Sequence, residues 1–148
     1  MTAGEGRTTA EAEIRTLIEA QAEAIRAKDP EGSAASYAPD VVLFDVVNPL
    51  RSRGSDTARK RLAEWFASSQ GPIGYEVREL AIAAGEDVAF CHSLKRVSAT
   101  TLAGQRLDMW WRATICLRKV DGAWRATHEH ASVPFEVASG RASLDLEP

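Results

Sequence analysis

A long hairpin near the end of the chain constrains the fold most strongly. Two alternating segments, residues 106–119 and 123–132, are separated by Asp121-Gly122, a dipeptide typical of the two-residue type I′ turn between antiparallel strands. The odd-numbered residues of 109–117 are apolar, which is the period-two pattern of a strand with one buried face. The chain therefore contains a half-buried hairpin, and its other elements must cover that apolar face.

The pairing of this hairpin decides where its two histidines point. Counting back from a two-residue turn puts His128 opposite Ile115. The same count puts His130 opposite Ala113, so both histidines share the apolar core face. A three-residue loop with a bulge would instead put them on the face of Arg112. The apolar alternation favours the first pairing.

A long helix is predicted at the start of the domain. Thr8 and Glu11 have the spacing of a capping box, and apolar residues recur at helical spacing after them, which predicts a helix over 9–28. Its apolar stripe contains one polar residue, Gln21, which must either bond inside the protein or line a pocket. Residues 1–7 are expected to form a flexible tail.

The order of the remaining elements indicates the fold class. The predicted elements are a short helix with N-cap Asp29 and first residue Pro30 that ends near Tyr37, a strand over 41–47, a helix over 56–69 capped by Ser55, and strands over 73–83, 88–100, 106–119 and 123–132. Helices followed by a meander of strands are typical of an α+β fold. We expect three helices in the N-terminal half to pack on a curved antiparallel sheet, in a cone that encloses a cavity. Residues 8–135 would form this single domain, and 136–148 a second flexible tail.

Charge and hydropathy argue against two classes of partner. The net charge is −3, so no basic excess is available to neutralise the phosphates of a nucleic acid. No segment approaches the roughly 18 apolar residues of a membrane span, and the N-terminus lacks the apolar core of a signal peptide. Cys91 and Cys116 lie in apolar runs and are interpreted as reduced thiols. We expect a cytoplasmic protein with neither nucleic acid nor a membrane as partner.

Asp45 is the clearest candidate for chemistry. It interrupts the apolar run 41–47, where a carboxylate must be hydrogen-bonded, paired or neutralised. Such a carboxyl group could exchange a proton with a substrate. The alternative is that the strand ends at Phe44 and that Asp45 opens the turn at Asn48-Pro49.

The histidines have several possible roles. His128 and His130 could form a general base, a hydrogen-bonding clamp, a metal site or a structural pair. A metal site needs a third ligand, and no spacing in the chain supplies one, so no metal is expected. Glu129 alternates to the other face, where it would pair with an arginine. The sequence also has no Gly-x-Ser-x-Gly, P-loop or dinucleotide glycine motif, so no cofactor is expected.

Two tryptophans and one arginine complete the candidates. Trp65 and Trp111 belong either to the core or to the wall of a pocket, and core is the commoner role of such residues. Arg112 is a surface or dimer-face residue under the favoured pairing. It would be an anion-binding residue under the alternative pairing.

Six segments of the chain carry a resemblance to a known family. They are Ala27–Asp29, Tyr37–Asp45, Gly85–Phe90, Arg112–Thr114, Asp121–Trp124 and His128–Pro134. Together they resemble the NTF2-like superfamily, in particular the SnoaL-like, ketosteroid-isomerase-related proteins, over about residues 9–135. The resemblance implies the cone-shaped α+β fold, also called cystatin-like, and a homodimer formed through the outer sheet face near Trp110, Arg112 and Thr114.

The resemblance also implies a chemistry. Asp45 matches the aspartate that serves as general base in ketosteroid isomerases, whereas the family's oxyanion tyrosine falls at Gln21. The implied activity is a cofactor-free isomerase, cyclase or dehydratase type of proton transfer on a small apolar carbonyl compound. Asp45 or His130 would move the proton, and Gln21 or His128 would hold the oxygen. The other residues expected to bind the compound are Tyr37, Phe44, Trp65, Trp111 and Arg112.

A second resemblance supports a different class of function. The segment from Arg118 to Ser132 is also similar to the association domain of calcium/calmodulin-dependent protein kinase, a module that assembles subunits. The alternative is therefore a non-catalytic NTF2-like protein for ligand binding or oligomerisation.

Overall fold

Three helices and one six-stranded sheet form the described part of the chain, which confirms the predicted α+β fold. In the computed structural model, which describes residues 2–148, the elements are α1 (Ala3–Arg26), α2 (Pro30–Ala34), β1 (Tyr37–Phe44), β2 (Ser52–Arg53), α3 (Ser55–Ala67), β3 (Ser69–Ala84), β4 (Val88–Thr101), β5 (Arg106–Val120) and β6 (Ala123–Ser132). The strand order is β2-β1-β6-β5-β4-β3. All neighbouring strands are antiparallel except β1 and β6, whose parallel pairing was not predicted.

Helix α1 begins six residues earlier than the predicted start at residue 9. Its N-cap is Thr2, whose hydroxyl accepts a hydrogen bond from the backbone N–H of Glu5, while the Glu5 carboxylate accepts one from the Thr2 N–H. Thr8, the predicted cap, lies inside the helix and donates to the Gly4 carbonyl. The predicted capping box was therefore wrong, because a second sequence of the same type precedes it. Met1, part of the predicted tail, lies outside the described residues.

Other boundaries differ because pairing with distant strands sets them. β1 begins at Tyr37, ahead of the predicted 41, because Tyr37 pairs with Ala126 of β6. The N-cap of α3 is Gly54, not Ser55; its φ of 93° is one that glycine adopts readily.

Beyond β6, the Ser143 N–H donates to the Pro134 carbonyl, so the predicted C-terminal tail makes backbone hydrogen bonds with the chain before it. Mobility of either tail stays a prediction.

The core lies between α1 and the concave face of the sheet. Ile14 and Ile18 of α1 are buried against Ile115 and Leu117 of β5. A second apolar cluster lies closer to α3 and includes Phe66. The predicted apolar stripes of the helix and of the hairpin thus face each other.

The last hairpin contains the predicted turn and an additional bulge. Asp121 and Gly122 have φ values of 51° and 79°, and Val120 pairs with Ala123, as a two-residue type I′ turn requires. Farther from the turn, one extra residue of β6, Thr127, shifts the pairing. A bulge of this kind inserts one residue and reverses the side-chain alternation beyond it.

The bulge overturns the predicted positions of the histidines. His128 pairs with Cys116 and His130 with Thr114, so both lie on the outer, convex face of the sheet. Glu129 pairs with the buried Ile115 and points inward. The prediction of histidines on the core face was wrong, because it counted strictly from the turn.

We expect Leu117→Ala to lower the free energy of unfolding by about 2–5 kcal/mol, because the side chain is 1% exposed and its removal leaves a cavity in the core. Leu102→Ala is the matched control, since Leu102 is 67% exposed, and we expect a change within about 0.5 kcal/mol. Urea unfolding measures both values. Equal losses in the two variants would contradict this assignment of the core.

Candidate functional site

A largely apolar cavity lies between the helices and the concave face of the sheet. Its volume is about 260 Å³. The lining residues are Gln21 and Ile25 of α1, Tyr37, Leu43 and Phe44 of β1, Asp45, Val46 and Val47 after it, Leu62 and Trp65 of α3, Tyr75 of β3, Val97 of β4, Leu107, Met109 and Trp111 of β5, and Glu129 and Ala131 of β6. Six predicted site residues therefore share this cavity: Gln21, Tyr37, Phe44, Asp45, Trp65 and Trp111. The other three predicted residues, Arg112, His128 and His130, do not line it.

Gln21 and Tyr37 form a polar pair in the cavity wall. The Gln21 Nε2 donates to the Ser33 carbonyl at 3.0 Å and to the Tyr37 hydroxyl at 3.1 Å. The buried Gln21 is therefore both bonded inside the protein and part of the pocket, the two alternatives left open by the sequence. Because the Tyr37 oxygen accepts from Gln21, its own proton is available to an acceptor in the cavity.

The environment of Tyr37 keeps its hydroxyl protonated. Burial in the cavity wall raises the pKa of Tyr37 well above its ordinary value of 10.0, and the negative charge of Glu129 raises it further. Burial also raises the pKa of Tyr75, although the nearby Lys95 opposes this. Both phenols are hydrogen-bond donors at neutral pH.

A buried ion pair adjoins the cavity, and sequence reasoning missed it. The Lys95 side chain of β4 is 1% exposed, and its Nζ lies 3.6 Å from the Glu129 Oε2. Burial lowers the pKa of Lys95, but the opposing charge of Glu129 and the contact with Tyr75 outweigh burial and hold it above its ordinary value. A signal existed, since Lys95 alternates with Cys91, Ser93, Val97 and Ala99 on the inner face of its predicted strand. Glu129 had no such signal, because the bulge reversed its direction.

Asp45 lies at the mouth of the cavity. Strand β1 ends at Phe44, so the alternative interpretation of the sequence, in which Asp45 opens the turn, describes its backbone. The Asp45 Oδ1 accepts a hydrogen bond from the Val46 N–H at 2.7 Å, and its Oδ2 lies 3.5 Å from the Arg61 Nη2. The side chain is 44% exposed, so it combines access to water with a position on the cavity wall.

The remaining predicted site residues lie on the outer face of the sheet. The His128 Nδ1 donates to the Val42 carbonyl at 2.7 Å, and the Phe44 ring contacts the rings of His128 and His130 with centroids 4.7 and 5.5 Å apart. The Arg112 Nε donates to the Ser132 hydroxyl at 3.1 Å. The structure therefore does not bring His130 and Asp45 together in one cavity.

Two kinds of feature are absent from residues 2–148. Within this range, no three His, Cys, Asp or Glu side chains form a cluster suited to a metal ion. None of the helices there is long and apolar enough to cross a membrane.

Comparison with known proteins identifies the family. The model of the SnoaL-like domain matches residues 14–136, which is most of the chain. This chain belongs to the SnoaL-like family. No curated protein matches the sequence.

Solved structures share the fold of this SnoaL-like domain over nearly its full length. An NTF2-like protein of unknown function from Pseudomonas putida KT2440 is 34% identical, with a TM-score of 0.86 over 95% of this chain and 98% of that one. A ketosteroid isomerase-like protein from Erwinia carotovora atroseptica is 24% identical, with a TM-score of 0.69 over 82% and 93% of the two chains. A protein named for scytalone dehydratase, from Novosphingobium aromaticivorans, is 16% identical, with a TM-score of 0.78 over 97% and 99%. The last two likenesses extend to the fold alone.

The two tyrosines of the chain should resist alkaline titration. Because their folded pKa values exceed 10.0, we expect little tyrosinate absorbance from the folded protein at pH 10. The stability that their neutral forms contribute is complete below pH 10 and is lost as the pH rises further. Absorbance titration of the native protein, with the denaturant-unfolded protein as control, measures this. Identical titration curves would contradict the described burial of both phenols.

Proposed function

We propose that this SnoaL-like domain binds a small apolar carbonyl compound and transfers a proton on it, in a reaction of the isomerase, cyclase or dehydratase type. The observation that carries the proposal is an apolar cavity with a neutral Tyr37 hydroxyl in its wall and the Asp45 carboxylate at its mouth. A cavity of about 260 Å³ lies just below the range of about 300–1,000 Å³ typical of drug-sized ligands. Its size suits a compound of one or two rings.

Each polar group has a role in the proposed step. Asp45 accepts the proton from the carbon next to the carbonyl and returns it at another atom, as a general base and acid. The Tyr37 hydroxyl donates a hydrogen bond to the carbonyl oxygen, which becomes negative as the proton leaves. Gln21 is a positioning residue, since its amide fixes the Tyr37 oxygen.

The electrostatics of the site are consistent with these roles. Besides burial and Glu129, the charge of Asp45 also contributes to the raised pKa of Tyr37, so the two groups share one local environment. Arg61 and the Val46 N–H orient the Asp45 carboxylate. Side chains alone can perform this type of proton transfer, as an aspartate base beside a tyrosine donor does in ketosteroid isomerase.

A second candidate is a ligand-binding protein without catalysis. The observation that favours it is the ion pair with Arg61, which engages the Asp45 carboxylate at the cavity mouth. In such a protein Asp45 and Arg61 would close the mouth over a bound compound and move no proton.

Asp45→Asn tests the proposed chemistry. With a panel of cyclic ketones in deuterated water, we expect wild type to exchange hydrogen next to the carbonyl, and the variant to be at least about 100-fold slower because the proton acceptor is lost. Binding of the ketones should change by less than about threefold. Nuclear magnetic resonance measures exchange, and calorimetry measures binding.

Asp40→Asn is the matched control, because Asp40 is an exposed aspartate of β1, the strand that ends one residue before Asp45. Its exchange rate should equal that of wild type. Exchange by the Asp45 variant at the wild-type rate would overturn the role of Asp45. If wild type binds the ketones but exchanges no hydrogen, the second candidate function is supported. If wild type binds none of the ketones, the proposed substrate class is refuted.

We also propose a homodimer through the outer face of the sheet. This face presents Phe90, which is 51% exposed, beside Cys116 and His128. An exposed aromatic group on a sheet face is typical of a protein interface.

Phe90→Glu should convert the dimer into a monomer, because it places a charge in the apolar contact. Leu50→Glu makes the corresponding change at a loop residue that is 95% exposed and should leave the dimer intact. Sedimentation equilibrium measures the mass of each variant. A wild-type monomer at micromolar concentration would refute the dimer.

A further inference from the structure

All three histidines of the chain lie together on the outer face of the sheet. His92 of β4 lies opposite Thr114 of β5, which in turn lies opposite His130 of β6. His128 lies opposite Cys116 in the next row, and its ring centroid is 6.4 Å from that of His130. His92 and His130 are exposed, and His128 is half-buried. The imidazoles thus form one cluster across three strands, and the proton transfer proposed above does not use them.

The cluster belongs to two neighbouring rows of side chains that contain no carboxylate, lysine or arginine. From β1 to β3, the rows are Val42, His128, Cys116, Phe90 and Ala83, and Phe44, His130, Thr114, His92 and Ala81. The core of a protein interface is depleted of charged residues and enriched in aromatic ones, whereas its rim is polar. With neutral imidazoles, these two rows have the composition of an interface core.

Arginines predominate around the two rows. The charged side chains that flank them are Asp40 of β1, Arg53 of β2, Arg78 and Glu79 of β3, Arg96 of β4, Arg112 and Arg118 of β5, and Arg125 of β6. Two further carboxylates of this face, Glu76 and Asp108, already bind Arg78 and Arg96 at 2.8 Å, and Glu147 of the C-terminal segment also acts on Arg96. A positive charge on an imidazole would therefore gain little attraction from its surroundings.

Protonation would bring positive charge into the centre of this face. Histidine is the side chain that ordinarily changes its charge between pH 5 and 8. His128 can take up a proton at its Nε2, because its Nδ1 already donates to the Val42 carbonyl. In a two-fold dimer both copies present the same patch, so each imidazolium would meet the same positive groups of the other copy. Burying such charges without partners is costly.

We propose that the dimer formed through the outer face separates in mild acid, because the histidines of each copy have to be neutral in the contact. The inference rests on the homodimer proposed above and adds its regulation. The separated copies bind more protons than the dimer does. A fall in pH therefore favours separation, and a rise in pH favours association.

Sedimentation equilibrium of wild type at pH 7.5, 6.5 and 5.5 measures the dissociation constant of the dimer. An ordinary histidine that has to stay neutral in a contact weakens association by about tenfold over this interval. With at least one such histidine in each copy, we expect the dissociation constant to rise at least about 100-fold. Circular dichroism at each pH shows whether the chain is folded.

A variant without histidine tests the cause. His92→Gln, His128→Asn and His130→Gln together remove every imidazole from the chain, and the asparagine amide can still donate to the Val42 carbonyl. We expect its dissociation constant to change by less than about threefold between pH 7.5 and 5.5. Asp40→Asn is the matched control, since it removes a carboxylate that flanks the same rows and keeps all three histidines. It should show the full wild-type response.

The outcomes separate this inference from the proposed dimer. A wild-type dimer whose dissociation constant rises less than about 100-fold overturns the inference and leaves the dimer standing. A wild-type monomer at pH 7.5 overturns both. Separation only on unfolding, a response that persists without histidine, or a response lost in Asp40→Asn also overturns the inference. If the variant without histidine forms no dimer, potentiometry of wild type decides: proton uptake when dilution at pH 6 separates the copies supports the inference, and no uptake overturns it.

Discussion

The chemistry of the cavity depends on one extra residue in β6. Successive side chains of a strand point to opposite faces, so the bulge at Thr127 reverses the direction of each residue that follows it in the strand. Without the bulge, His128 and His130 would face the core and Glu129 would face outward. With it, the cavity receives a carboxylate, and the two imidazoles lie on the convex side, in contact with the ring of Phe44 at the end of β1. The bulge thus places one carboxylate, instead of two imidazoles, on the inner face of the sheet.

The polar groups of the cavity belong to two settings with different access to water. Asp45 lies at the mouth, where Arg61 and solvent stabilise its charge. Glu129 lies inside, where Lys95 opposes its charge and where the low dielectric makes every missing hydrogen bond costly. Both carboxylates act on Tyr37. Burial raises the pKa of the Tyr37 hydroxyl most, and the negative charges of Glu129 and Asp45 raise it further. The mouth is suited to proton exchange, and the interior is suited to recognition.

Much of the fold and part of the site could be predicted from local patterns. The helical stripe from Ile14, the Asp121-Gly122 turn and the anomalous Gln21 each act over a few residues, and the structure contains all three. The parallel pairing of β1 with β6 could not be predicted in the same way, because it depends on contacts between residues about 86 apart in sequence, such as Val42 and His128. Lys95 falls between these cases. Its position on the inner, apolar face of β4 can be seen in the sequence. The partner that makes its burial possible, Glu129, cannot.

By itself, the sequence determined the order of the three helices and of every strand except the short β2, the α+β class and the presence of a polar residue on the apolar face of the first helix. These follow from periodicity and turn chemistry, which are properties of neighbouring residues, whereas the family was indicated by the resemblance of longer segments to known proteins. Only the tertiary structure decided that Glu129 points into the cavity and that the two histidines do not. It also decided that Lys95 of β4 forms the ion pair with Glu129. The physical reason is that a one-residue bulge leaves no clear pattern in the chain, whereas it reverses which face every later side chain of the strand occupies.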